Sequence, residues 1–339
     1  MERCPVRLRF AILTLMFLTA CGGSGLGPSG PTPIATPQVT THPVTFVAFL
    51  DENANGVYET NEGTRIPGAE LVVGAVKGTT AAKTGEATLQ IPAGSATLTV
   101  TAASLPPFYR PPANITVSVP ATAQVLVPIT LPRGSNRANV YMAFGDSITN
   151  GEPGVGDGNG YRRMLEATLG GHFGTAEVAN RGRDATYSTD GADLISRDLS
   201  NIQPAFVLVY YGTNDWNDLS CRQLPCFTTV ALRSIVRQIN QRGSHAFLAS
   251  LLPINTDYDN RAPASRNEWV VAQNTLIKQV AEEEGAVYVD THDAFMKSGR
   301  ALPALFVDHI HPTAVGYEIM SQTWFSAITK AYSKILSTS

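Results

Sequence analysis

The chain is poor in the features that mark several large classes of protein. Charged residues make up 16% of its 339 residues and the formal net charge is -3, with no long run of one sign. No basic face is available to track a phosphate backbone, so nucleic acid is excluded as a partner. Apolar runs are short. The longest near the N-terminus, Phe10 to Ala20, cannot span a bilayer as a helix, which needs about 20 apolar residues. Cysteine is scarce, at four residues, so neither a disulfide-dense scaffold nor a cysteine-rich metal domain is available.

What is present begins with a targeting signal. Arg3, Arg7 and Arg9 precede the apolar run, which ends in Leu18-Thr19-Ala20-Cys21. This resembles the lipobox of bacterial lipoproteins, in which the chain is cut before the cysteine and the cysteine is acylated. The resemblance implies export and a lipid anchor at Cys21, on the periplasmic face or the cell surface of a bacterial membrane. A plain signal peptide with an incidental cysteine is the competing reading. Residues 22–43 are rich in Gly, Pro, Ser and Thr and read as a tether, because they hold too little apolar surface to fold. In an oxidising compartment the close pair Cys221 and Cys226 is expected to form a disulfide, since no further ligand stands near enough for zinc.

Two patterns divide the rest. In residues 44–132, segments such as Ala96 to Val100 and Ile115 to Val119 alternate apolar and polar side chains between Gly and Pro punctuation. Six or seven such strands predict a β-sandwich. From residue 139 to 335, short apolar runs (Val140 to Phe144, Phe206 to Tyr211, Ala246 to Leu252, Ala286 to Val289) alternate with helical stretches. That alternation predicts an α/β fold with a parallel sheet, whose site lies at the carboxyl ends of the strands.

Four segments fall at or just beyond the ends of predicted elements, three after strands and the fourth before the last helix. Phe144-Gly145-Asp146-Ser147-Ile148-Thr149 places a serine on a strand-to-helix turn. Asn180-Arg181-Gly182 follows a short strand at Glu177 to Ala179, and its glycine permits close backbone approach. In Tyr211-Gly212-Thr213-Asn214-Asp215, the Asn214 carboxamide is suited to donate to a developing oxyanion. Asp308-His309-Ile310-His311-Pro312 brings a carboxylate within reach of a histidine three residues on, leaving the far ring nitrogen for a serine proton. Taken singly, each is also an ordinary turn.

Together and in this order, the four segments resemble the four blocks of the SGNH (GDSL-like) serine ester hydrolases. The resemblance implies a flavodoxin-like three-layer domain that needs no metal or cofactor for catalysis. It assigns Ser147 as nucleophile, His311 as base, Asp308 as its orienting carboxylate, and Ser147, Gly182 and Asn214 as oxyanion donors. The glycine block here lacks the second glycine the family often carries. The serine context is not the Gly-x-Ser-x-Gly elbow of α/β-hydrolases. His309 is read as a structural or substrate-side residue, and a metal on Asp308, His309 and His311 lacks a firm further ligand. Tyr187, Tyr211 and Trp216 are candidates to line a subsite.

The substrate implied is a small-molecule or carbohydrate ester, and a short acyl group is expected because the Cys221–Cys226 loop, just after Asn214, would wall off one side of the site. The region from Gly145 to Arg162 has a short likeness to carbohydrate acetyl esterases of the same superfamily. The competing class is a non-catalytic surface adhesin or spacer. In the β-domain, Asp51, Asn53, Asn55, Glu59 and Glu62, with the Val57 carbonyl, match the spacing of a calcium loop. The stretch Phe49 to Leu71 resembles the calcium-binding B-type repeats of bacterial surface adhesins, which implies a structural Ca²⁺; a hairpin turn without an ion is the alternative.

Overall fold

The computed structural model describes residues 39–151, 160–259 and 263–330. The chain divides into two units, Met1–Val39 and Thr40–Ser339, and everything below concerns the second. The predicted signal peptide, Cys21 and most of the predicted tether lie outside the described residues. Among the described residues, no helix is long and apolar enough to cross a membrane.

Seven strands come first: β1 (Thr41–Leu50), β2 (Glu70–Val73), β3 (Val76–Thr79), β4 (Glu86–Pro92), β5 (Gly94–Val100), β6 (Ile115–Val119) and β7 (Val125–Ile129). They form a three-stranded sheet of order β4-β1-β7 and a four-stranded sheet of order β3-β2-β5-β6. Strand β1 begins inside the stretch that composition assigns to the tether. Thr41, His42 and Pro43 pair with Pro92, Ile91 and Gln90, so pairing continues past the point where apolar side chains stop. Period-two burial fills the space between the sheets, with Phe46, Ala48, Leu71, Leu89, Leu98 and Val117 inward.

The second half runs β8 (Arg137–Gly145), α1 (Ser147–Asn150), α2 (Arg162–Phe173), β9 (Glu177–Gly182), α3 (Ser188–Ile202) and β10 (Pro204–Tyr210). It continues with α4 (Phe227–Gln241), β11 (His245–Ala249), α5 (Ala264–Glu284), β12 (Val287–Val289), α6 (Thr291–Met296), α7 (Leu302–Leu305) and α8 (Ala314–Thr329). The strands form one parallel sheet of order β12-β11-β10-β8-β9. Both faces are covered, which is why the strands are apolar throughout. Tyr141 and Ala143 of β8 join a core with Leu165, Leu169, Met320 and Trp324 of α2 and α8. Met142 and Phe144 point the other way, toward Ile195, Leu232, Ile235 and Ile277 of α3, α4 and α5. This is the three-layer α/β architecture expected from the sequence.

The sandwich and the parallel sheet share a core. The first of these two clusters runs without a break from Val44 in β1 to Ile328 in α8. Tyr109 stacks on Phe173 and Phe206 at ring-centroid distances of 6.4 and 6.2 Å. Phe108 stacks on His245 at 4.2 Å, and the His245 Nε2 donates to the Pro132 carbonyl at 2.6 Å. Burial holds the His245 imidazole down to about 4, so it stays neutral in this contact. Further hydrogen bonds run from Arg65 N to Phe173 O (2.8 Å) and from Asn139 Nδ2 to Thr64 Oγ1 (2.9 Å). Nearly all these partners sit at or before the first residues of β8, β9, β10 and β11. The sandwich therefore backs the amino ends of the strands, and the carboxyl ends are left for chemistry.

Candidate active site

Ser147 stands one residue beyond β8, at the first position of α1. Asp146 is the helix cap: its Oδ1 accepts the Ile148 N–H at 3.0 Å. The turn is tight because β8 and its neighbours approach closely at this end. A Cβ on Gly145 would run into the Thr149 side chain and the Tyr210 carbonyl, so only glycine fits. Burial pushes the Asp146 carboxyl up to about 7, against the Ile148 N–H and the charge of His311, which act the other way.

The segment 308–311 meets this turn from the other end of the chain. Ser147 Oγ lies 2.9 Å from His311 Nε2, and His311 Nδ1 lies 2.8 Å from Asp308 Oδ2. The other carboxylate oxygen, Asp308 Oδ1, accepts from the Ile310 and His311 backbone N–H groups, each at 2.7 Å. Burial raises the Asp308 carboxyl, but these hydrogen bonds outweigh it and hold the group well below the usual carboxylate range. An imidazole anchored through Nδ1 by an ionised carboxylate keeps Nε2 as acceptor, the form able to take a proton from a serine hydroxyl.

Asn214 begins the turn after β10 and is 8% exposed. One hydrogen of its Nδ2 goes to the Thr186 carbonyl at 3.0 Å, which orients the amide and leaves the second hydrogen to donate. Asp215 beside it is buried in support of the turn, accepting from Ser188 Oγ and Thr228 Oγ1, each at 2.6 Å. Burial raises its carboxyl as well.

Two sequence assignments change here. Strand β9 runs on to Gly182, which pairs with Gly145 instead of sitting in a turn. A Cβ there would collide with the Thr149–Asn150 backbone, so the glycine is required, but for packing against α1. Its N–H already donates to Asn180 Oδ1 at 2.8 Å, so the oxyanion donor assigned to Gly182 is spent. The loop that follows places Ala185 in the left-handed region (φ 57) and Thr186 against Asn214. The missing second glycine is the only sequence signal for that loop. The subsite assignment fails for two aromatics: Tyr211 packs on Phe144 and Trp216 on Trp269, both in the core. Tyr187 is half-buried at the cap of α3.

Cys221 and Cys226 form the expected disulfide, with Cα atoms 4.9 Å apart. The proposed calcium ligands fall in one loop, where they bind one another. Asp51 accepts from the Asn55 and Gly56 N–H groups, and Glu62 from Glu52 and Glu59. Glu59 Oε1 accepts from the amides of Asn53 and Asn55. Among the described residues, no three His, Cys, Asp or Glu side chains are grouped to share a metal ion.

Residues 143–319 match the model of the GDSL-like lipase/acylhydrolase family. The chain belongs to this family. It is therefore a hydrolase acting on esters, and the matched residues run from within β8 to within α8 of the parallel-sheet domain. Among solved structures, the GDSL-like chain is similar to an α/β hydrolase, LAE5, from the metagenome of Lake Arreo, Spain, at 23% identity and a TM-score of 0.48 over 58% of this chain and 98% of that one. It is also similar to Axe2, an acetylxylan esterase from Geobacillus stearothermophilus, at 21% identity and a TM-score of 0.47 over 57% of this chain and 95% of that one. No curated protein matches the chain.

Proposed function

We propose that the chain is a serine hydrolase of short-chain carboxylic esters, with Ser147 as nucleophile, His311 as general base and acid, and Asp308 as its orienting carboxylate. The observation that carries this is the unbroken hydrogen-bonded run from Ser147 Oγ through the His311 ring to Asp308. Ser147 Oγ attacks the ester carbonyl carbon as His311 Nε2 takes its proton. The Ser147 N–H and Asn214 Nδ2 stabilise the resulting oxyanion. His311 then returns the proton to the departing alcohol oxygen, leaving an acyl-serine. Water, deprotonated by the same nitrogen, then attacks the acyl carbon; the acyl–Oγ bond breaks, His311 returns the proton to Ser147 Oγ, and the acid leaves.

The chain-length preference is tested with p-nitrophenyl esters from acetate to palmitate on residues 22–339. Activity is expected to peak at the shortest acyl groups; a steady rise toward long chains would refute it. The Leu18–Cys21 signal supports action outside the cytoplasm, tethered to a membrane. Metabolically supplied palmitate should label the full chain and fail to label Cys21→Ser; equal labelling of both overturns the anchor.

A further inference from the structure

The first turn of α5 carries a buried cation with no part in the chemistry above. Arg266 is 2% exposed. Taking a guanidinium out of water is costly unless charge and hydrogen-bond partners replace the solvent, so an arginine this deep needs a reason. Burial and the nearby Arg222 push it down to about 10, with the Asp308 carboxylate acting the other way, so it stays charged at neutral pH. Its Nη2 donates to the Thr213 carbonyl at 3.1 Å.

That carbonyl belongs to the planar peptide leading into Asn214, so the bond fixes the backbone from which the oxyanion donor projects. The turn needs fixing on this side. Gly212, two residues before Asn214, has φ 122, and a glycine leaves the chain free to adopt other conformations. Beyond Asn214, Asp215 is already held by Ser188 and Thr228. Before it, the hold comes from Arg266 and from the Thr213 hydroxyl, which donates to Tyr210 Oη at 3.3 Å. The same turn of α5 also reaches the segment bearing the base. Asn267 exchanges hydrogen bonds with both backbone groups of Ile254, and Asn255 next to it donates to the His309 and Asp308 carbonyls (3.0 and 3.2 Å). One helical turn thus ties the oxyanion donor to the Asp308–His311 segment.

We propose, on the assignment of Ser147 and Asn214 made above, that Arg266 is a positioning residue for the reaction, holding the Asn214 amide on the oxyanion through the Thr213 carbonyl. A planar guanidinium suits the task, because it is rigid and keeps its charge. Its effect falls on the transition state. An oxyanion donor works only when it lies about 2.7–3.1 Å from the charged oxygen, and a misplacement of about 1 Å costs on the order of 10²-fold in rate. The ground-state ester carries less charge on that oxygen and is less sensitive to the donor's place.

The test is a double-mutant cycle on the full chain, with p-nitrophenyl acetate as substrate. Arg266→Met should lower kcat about thirtyfold and leave KM within about twofold, and Asn214→Ala should lower kcat by about 10²-fold or more. Combined, the two should cost less than about threefold beyond Asn214→Ala alone, because Arg266 then has no donor left to position. Losses that multiply in the double variant, a KM that rises as far as kcat falls, or a single variant with the parent's kcat would overturn the proposal. An Asn214→Ala with the parent's kcat would overturn it too. Where Arg266→Met does not fold, Arg266→Lys takes its place in the same cycle under the same criterion. Ser147→Ala, assayed alongside, separates the two levels. Activity retained there overturns the serine assignment itself, whereas activity lost there with unaffected Arg266 variants overturns the positioning role alone.

Discussion

Replacing Ser147 by alanine is expected to lower kcat/KM by at least about 10³-fold on every ester the parent cleaves, a loss of roughly 4 kcal/mol of transition-state stabilisation. The loss falls on chemistry and not on folding. The serine hydroxyl makes one hydrogen bond, to His311 Nε2, and the turn is held by Asp146 and by the close contact at Gly145. Deleting a single such bond changes stability by about 1 kcal/mol. The melting temperature should therefore stay within a few degrees of the parent's. Parent and variant assayed at equal concentration decide it, and equal activity in the two would reduce Ser147 to a turn residue.

The second large effect concerns the sandwich. A chain starting at Gly134 should not yield a soluble hydrolase. Cutting there strips Phe108 and Tyr109 from Phe173, Phe206, His245 and Phe247, and bares the amino ends of the central strands. Each large apolar side chain returned to water costs about 1.5–3 kcal/mol, and a folded domain has only about 5–15 to lose. A milder version leaves the chain whole. Tyr109 is 7% exposed, and Tyr109→Ala should cost about 3–5 kcal/mol, lowering the midpoint of a single shared thermal transition by about 10 °C. The check is calorimetry of the full chain. Two separate transitions, or an active fragment from Gly134, would show that the shared core matters little.

These two cases differ in how much the sequence reveals. The parallel sheet is legible because Tyr141, Met142, Ala143 and Phe144 are all apolar, as a strand covered on both faces must be. The reacting groups are legible because each lies in a short segment at the end of an element, Ser147 and Asn214 after strands and Asp308 and His311 before the last helix, where the latter two are close enough along the chain to meet on one turn. Gly182 is half legible. That a glycine is required there follows from the segment, but its N–H is taken by Asn180, two residues earlier, and only the side-chain arrangement reveals that. The shared core is not legible at all. Tyr109 meets Phe173 and Phe206 through contacts more than 60 residues apart in sequence, and nothing local distinguishes it from any other sandwich aromatic.

The central claim, that Ser147 is made nucleophilic by His311, is tested most directly by a fluorophosphonate that phosphonylates activated serines. One adduct per chain, mapped to Ser147 by mass spectrometry and absent from His311→Ala, is the predicted result. An adduct on another serine, or none on a chain that still hydrolyses esters, would contradict the account.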